Sequence, residues 1–409
     1  MSRSSEPGHT PVSGVDLSPI PPSPPSPLPL CDQADWQAEH LGSHLRYAMQ
    51  PVIDRAGRVV ATELLFRWNA SDDGVGPELG AYATAAALSG ALIDGELLID
   101  APAAEHPIGD LLVNMDRRTL MSPIAEALTP DVGVIELLET VVVDAPLMRR
   151  IQDLHGRGYR FALDDIVRAD DARWALAPWV QFAKIDVVGL DAEQLPALVR
   201  QAHGLGLAVI AEKIEDDEAF QRARRAGADY FQGYGIARPT TQAVPALPGC
   251  DANVVGQLFL LARSGVSASS LALIAGRHPA LVARLLRVQA IHAPHGAATA
   301  ESLTDVLMAL PRAVLVAWLA VFNIAAVHGR DRDLARLLRG ELAEGRLRLR
   351  REGLGSTSGA LERASFVLCK QLLRMRLLSR PAAAFSSIFG PGKSARGGTS
   401  GGGLAMAAA

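Results

Sequence analysis

Between residues 40 and 245 short apolar runs alternate with amphipathic stretches, and this alternation limits what the chain can become more than any other feature. The runs VVATELLF, LLVNM, GVIELLE, RFALDD, FAKIDV, LAVIAEKI and DYFQGYG have the length of strands. Such runs alternating with helical patterns build βα units and a parallel sheet. The connecting sequence agrees. Residues 145–160, APLMRRIQDLHGRGYR, are apolar at Leu147, Met148, Ile151 and Leu154 and then meet Gly156 and Gly158, which is helical spacing with a glycine stop. A second helix is predicted from Asp216 as N-cap, through Phe220 and Ala223, to Gly227. About eight strands in about 200 residues point to an α/β fold, a (β/α)8 TIM-like barrel over 40–245. An open doubly wound sheet is the alternative, but no GxGxxG follows an early strand.

The remainder divides by composition. From 251 to 380 the pattern becomes helices only, which predicts an all-α domain, with residues 360–378 as a basic amphipathic helix. Residues 1–30 are Ser/Pro-rich and 390–409 are Gly/Ser/Ala-rich; both are expected to be disordered, because neither has the apolar content to offset ordering entropy. The leader lacks the charged start and apolar core of a signal peptide. The longest mainly apolar stretch, 313–327, holds 15 residues with Asn323 among them, short for a membrane span and suited to a buried helix. A net charge of −4 gives no field for a nucleic-acid polymer or an anionic membrane, so a phosphate-bearing ligand needs a local site. Cys31, Cys250 and Cys369 show no metal or disulfide spacing, and a cytoplasmic location is expected.

Chemistry concentrates at the ends of the apolar runs, which carry Glu63, Asn114, Glu136, Asp164 with Asp165, Lys184, Glu212 and Gln232. From Asn114 onward they recur every 20 to 28 residues, about one βα unit. The carboxyl ends of barrel strands converge on one face, so these side chains should meet. Four or five converging carboxylates repel one another unless cations bind among them. Oxygen ligands without cysteine or histidine suit Mg²⁺ or Mn²⁺, and two such ions can activate water against a phosphodiester. Lys184 would orient that water or offset developing charge.

The same residues carry a family resemblance. The segment ELLFR from Glu63 resembles the EAL signature, with Leu64 in place of its alanine. VNM at Asn114, ELLE from Glu136 to Glu139, LDD at Asp164 and Asp165, KID at Lys184, AEKIE through Glu212 and Glu215, and QGY at Gln232 follow in the EAL order. The resemblance implies hydrolysis of cyclic di-GMP to linear pGpG by a two-metal site. Its metal ligands would be Glu63, Asn114, Glu136, Asp164 and Asp165, with Lys184, Glu212 and Glu215 catalytic. Arg67 and Gln232 would bind substrate and Glu139 would support the loop. A homodimer through the barrel is also implied.

Two positions depart from the family. Leu138 stands where Thr is usual in Glu-x-Thr-Glu, and Ile166, Val167, Arg168 and Ala169 replace the Phe-Gly-x-Gly that normally follows the Asp pair. Losing both glycines removes backbone freedom at the loop that holds that pair, so weak turnover is expected. The alternative function is therefore a cyclic di-GMP receptor or signalling scaffold. The AEKIE and YFQGYGIARP segments resemble the subgroup in which EAL is followed by an HDOD domain, and HPALVARLLRV with SLTDVLMALPRAVLVAWLAV is similar to the first HDOD helices. That implies a partner-binding helical module, shortened or divergent. His328 is followed by Gly329, so no His-Asp metal pair is present there, and His278, His292, His295 and His328 are expected at surface or capping positions.

Overall fold

The computed structural model describes residues 44–67, 79–99, 108–245, 247, 249–293, 299–325, 363, 365–367 and 369–370. The leader 1–30, the tail 390–409, Cys31, His295, His328 and most of 360–378 lie outside them.

Strands β1 (His44–Asp54) and β2 (Val59–Phe66) form an antiparallel hairpin. Its turn is written locally: Asp54 Oδ1 accepts from the amides of Ala56 (2.8 Å) and Arg58 (2.9 Å), while Gly57 takes φ +78°. Strands β3 (Asp110–Met115), β4 (Gly133–Leu137), β5 (Arg160–Ile166), β6 (Phe182–Asp186), β7 (Ala208–Glu212) and β8 (Tyr230–Phe231) then run parallel to β2 in succession. β1 closes the ring between β8 and β2, antiparallel to both, and β9 (Thr240–Pro245) pairs with its first half.

The eight-stranded barrel is thus not the all-parallel (β/α)8 ring expected. The four residues between β1 and β2 are too few for a parallel crossover, which needs a dozen or more.

Helix α1 (Gly80–Leu88) runs into a π-helical turn, Ser89–Asp94, before β3. Helix α2 (Arg117–Met121) and a 3₁₀ helix, Pro123–Ala127, precede β4; α3 (Ala145–Gly156) precedes β5. Only a 3₁₀ helix, Ala172–Trp179, joins β5 to β6; it contains Pro178, which an α-helix interior would not tolerate. Helices α4 (Gln194–Gly204) and α5 (Asp217–Ala226) flank β7. Asp216 caps α5 by accepting from Ala219 N (2.8 Å), and Gly227 ends it at φ +105°, as expected.

Strand periodicity makes two cores. Outward-facing Leu111, Val113, Ile135, Leu137, Phe161, Leu163, Ala183, Ile185 and Val209 are buried beneath the helices. Inward-facing Val52, Ala61, Leu112, Val134, Ala162 and Ile210 fill the barrel, with Phe182 and Tyr230 packed against them.

The all-α region begins at Ala252 with α6 (Ala252–Arg263), α7 (Ala268–Ala275), α8 (Pro279–His292), α9 (Leu303–Ala309) and α10 (Arg312–Ala325). α10 is buried from Val314 to Phe322 and packs on Pro123–Ala127, α1 and α6, so the outer core continues into the helices. Among the described residues no single helix is long and apolar enough to cross a membrane. Two buried arginines on α8 reach the π-helical turn. Arg287 Nη1 donates to the Ile93 carbonyl (2.5 Å) and the side chain pairs with Glu96. Arg284 donates to the Leu247 carbonyl (3.2 Å) and lies 3.9 Å from Asp94, whose Oδ1 accepts from Leu247 N (2.5 Å). His292 corrects its surface-or-cap expectation. Its Nε2 accepts from Trp318 Nε1 (2.9 Å), and burial lowers its pKa to about 4.

Candidate functional site

The apolar layer inside the barrel explains the polar one above it. Two residues beyond Ala61, Leu112, Val134, Ala162, Phe182, Ile210 and Tyr230 stand Glu63, Asn114, Glu136, Asp164, Lys184, Glu212 and Gln232. A strand returns to the same face every second residue, so each inward apolar side chain is followed by an inward polar one nearer the carboxyl end. On antiparallel β1 the order reverses: Gln50 stands two residues before Val52 and opposite Glu63.

Lys184 is at the centre. Its Nζ lies 2.7 Å from Asp164 Oδ1, 2.8 Å from Glu136 Oε1, 3.1 Å from Glu212 Oε2 and 3.3 Å from Glu63 Oε2. Glu63 also accepts from Asn114 Nδ2 (2.7 Å) and Gln232 Nε2 (2.7 Å), and Gln232 Nε2 is 3.3 Å from Gln50 Oε1. One ammonium cannot balance four buried carboxylates. Burial, with repulsion from Glu63 and Asp164, pushes Glu136 well above the ordinary carboxylate value despite Lys184. Burial likewise lifts Glu212 well up and raises Asp164, with Lys184 opposing in both. Burial also acts upward on Glu63, but Lys184, Gln232 and Asn114 outweigh it and hold that carboxyl low. Lys184, disfavoured by burial but ringed by Asp164, Glu136, Glu212 and Glu63, is held well above the usual lysine value.

The donor set fits a divalent cation. Among the described residues Glu136 Oε2, Glu212 Oε1, Asn114 Oδ1 and Gln232 Oε1 are buried without a hydrogen-bond partner. Oxygens of this kind, with negative charge in excess, are what a hard cation binds. A second group extends outward: carboxylate oxygens of Glu139, Asp164 and Asp165 lie within 4.8 Å of one another. Glu139, expected as loop support, thereby stands among the candidate ligands.

The adjacent Asp164 and Asp165 both serve the site because the strand is irregular between them. Neighbouring strand residues normally point to opposite faces, but β5 shifts register against β6 between Leu163 and Ile166, and Asp165 has φ +49°. Arg173, buried in the 3₁₀ helix, secures this bulge. It donates to the carbonyls of Leu137 (3.0 Å), Asp164 (2.5 Å) and Asp165 (3.5 Å) and to the Asp171 carboxylate (2.8 Å). The following loop is tied by Trp174 Nε1 to the Arg168 carbonyl (3.3 Å) and Gln201 Nε2 to the Ala169 carbonyl (2.9 Å). Where the sequence pointed to lost glycine freedom, side chains brace the loop, and the positive φ falls on Asp165 itself.

Two expected residues stand apart. Arg67 Nη1 donates to the Phe66 carbonyl (2.9 Å), and Glu215 is exposed in the turn before α5; among the described residues neither bonds to the cluster. Gly233 and Gly235 pack that turn closely. A Cβ at Gly233 would lie 2.1 Å from the Ile214 carbonyl oxygen, and one at Gly235 would lie 2.5 Å from the Glu215 carbonyl carbon. Gln50, Arg173 and Lys213 were missed by the sequence reading. Gln50 had a signal, a lone amide in the apolar stretch before the turn, but on a strand whose direction was unknown.

Fold and site together define a barrel with a carboxylate-rich layer at the carboxyl ends of its parallel strands. The sequence model of the EAL domain matches residues 33–239, about half of the chain, and the protein belongs to the EAL domain family. It is 30% identical over 194 residues to the protein named cyclic di-GMP phosphodiesterase CdgJ of Vibrio cholerae, covering 47% of this chain and 44% of CdgJ. It is 26% identical over 198 residues to the uncharacterized protein YuxH of Bacillus subtilis, covering 47% and 46%. The chain spans less than half the length of these two relatives. Among solved structures, the EAL domain protein from Listeria monocytogenes is 19% identical with a TM-score of 0.40, over 54% of this chain and 96% of that one.

Proposed function

We propose that the barrel hydrolyses one phosphodiester of cyclic di-GMP to linear pGpG, with Mg²⁺ or Mn²⁺ held in the carboxylate layer. The observation that carries this reading is the charge imbalance around Lys184: four buried carboxylates share one ammonium, and several of their oxygens lack a directed hydrogen bond. Glu63, Asn114, Glu136 and Asp164 would hold one ion, and Asp164, Asp165 and Glu139 the other. The ions would supply an activated water and stabilise charge on the phosphodiester oxygens.

The protein's own part is orientation. Asn114 and Gln232 fix the Glu63 carboxylate from both sides, and Gln50 steadies Gln232. Lys184 delivers positive charge where the phosphodiester gains negative charge. Burial raises Glu212 well above the ordinary carboxylate value, which suits it to a proton-transfer role. Arg67, just past the end of β2, is assigned to a phosphate or guanine of the nucleotide, a contact that requires it to leave the Phe66 carbonyl. Glu215 keeps its assignment through the turn that Gly235 packs against.

The helical region is read as a shortened HDOD-like module that binds a protein partner, and the barrel as the surface of a homodimer, in the cytoplasm. The second reading, a receptor or scaffold without turnover, is favoured by the lysine that already occupies Asp165, Lys213. Purified protein with labelled cyclic di-GMP and Mn²⁺ separates the readings. Linear product lost about a hundredfold or more on Glu63→Ala supports the enzyme. Binding without product leaves the receptor, and no binding leaves the scaffold.

A further inference from the structure

The outer carboxylate group already contains a cation of the protein's own. Lys213 Nζ lies 2.7 Å from Asp165 Oδ1 and 2.7 Å from Asp186 Oδ2. These three residues sit at or just past the carboxyl ends of three adjacent strands, β5, β6 and β7. The arrangement is not the default for the chain. Lys213 has φ +58° and Asp165 φ +49°, so both partners of the ion pair adopt the left-handed backbone that side chains other than glycine's disfavour. The flanking backbone holds Lys213 there, with Val187 N on the Glu212 carbonyl (3.2 Å) and Ile214 N on the Gln232 carbonyl (3.1 Å).

Two contacts give the pair a direction. Asp186 is anchored independently, since its Oδ1 accepts from Val188 N (2.8 Å). Asp165 is shared, since its carboxylate also belongs to the group with Glu139 and Asp164. The ammonium therefore has one fixed partner and one partner that a metal ion would claim. The Lys213 side chain is 49% exposed, so it can leave Asp165 for water without a large desolvation barrier while staying on Asp186. Burial lowers the Lys213 pKa, but hydrogen bonds and charge from Asp165 and Asp186 outweigh this and raise it, so the side chain keeps its charge.

We propose that Lys213 is a positioning residue that competes with the second divalent ion for Asp165, so that this barrel takes its first ion readily and its second only when the ammonium gives way. The inference rests on the two-metal reading above and sharpens it, by making occupancy of the outer position depend on metal concentration. Among the described residues Glu63, Asn114 and Glu136 make no contact with Lys213, and the two positions meet only at Asp164.

The test counts and ranks Mn²⁺ sites on the full chain by calorimetry and by electron paramagnetic resonance, in the parent protein, Lys213→Met, Lys213→Gly and Lys213→Arg. Methionine keeps the length without the charge, and glycine suits the positive φ should methionine fold poorly. The expected result is one tighter and one weaker ion in the parent. The weaker one should tighten by about fivefold or more in Lys213→Met or Lys213→Gly, the first staying unchanged. Lys213→Arg should keep the parent pattern. Equal second-site affinity in the parent and both neutral variants overturns the proposal while leaving the two-metal reading intact, and so does a second site that weakens. Absence of any Mn²⁺ binding by folded parent and variants overturns the two-metal reading and this inference with it.

Discussion

Two of the places where the protein buries ionic groups are built oppositely. Inside the barrel, Lys184 faces Glu63, Glu136, Asp164 and Glu212, an acidic excess with oxygens lacking directed bonds. Beneath the helical region, Arg284 and Arg287 face Asp94 and Glu96, two charges against two, and carbonyls of Ile93 and Leu247 accept from the guanidinium groups. The second cluster joins α8 to the π-helical turn, and among the described residues its charges balance. The first is complete only when something positive enters. Burial by itself therefore does not mark a functional site; a charge imbalance that the fold tolerates does.

The largest effect expected from breaking this contrast is at the balanced cluster. Arg287→Leu should destabilise the protein by about 3–5 kcal/mol in chemical denaturation, since Glu96 is left buried beside a neutral side chain. A loss below about 1 kcal/mol would show that the clamp is dispensable.

The pH response of the metal-free protein comes next. Glu136 and Glu212 have folded pKa values raised above the ordinary 4.5, so the folded state binds more protons than the unfolded state in the interval between. Their contribution is fully present below the ordinary value and is lost as pH rises through the raised ones. Stability should therefore fall by about 1 kcal/mol per pH unit or more across that interval. Glu63, held low, titrates below the window, and Asp164, raised by burial, adds to the fall; His278 and His292, lowered by burial, act in the opposite sense up to their ordinary 6.5 and reduce the slope there. Mn²⁺ should flatten the profile, because metal binding needs the carboxylates deprotonated. A metal-free melting temperature that climbs with pH there would contradict the imbalance.

Glu136→Gln sharpens the comparison with a smaller change in stability. The metal-free variant should match the parent to within about 1 kcal/mol or exceed it, because one repelling charge has gone. Its Mn²⁺ affinity should drop by about tenfold or more. Unchanged affinity would remove Glu136 from the ligand set. The smallest effect belongs to Arg58→Ala. Its side chain is 80% exposed against Asp54 at the hairpin turn, and the loss should stay below about 0.5 kcal/mol, read by the same denaturation.

Much of the barrel was legible because strand alternation is local. A period of two put Glu63, Asn114, Glu136, Asp164, Lys184, Glu212 and Gln232 on the face of the apolar residues two places before them, and the βα spacing brought successive strand ends together. The turn signal Asp54-Arg55-Ala56-Gly57-Arg58 was equally local, and it was the clue that β1 reverses. Reading every apolar run as parallel hid it, and with it Gln50, whose order relative to Val52 is inverted. Glu215 and Arg67, placed by motif, do not join the cluster.

Sequence alone, then, determined which residues line the barrel and at which end, because side-chain alternation and turn chemistry need only neighbouring residues. Tertiary structure decided the rest. That Lys184 meets four carboxylates, that Arg173 secures the bulge at Asp164 and Asp165, and that Lys213 reaches Asp165 depend on how distant strand ends are staggered when the ring closes. The stagger is set by the sheet as a whole, and no local stretch of sequence encodes it.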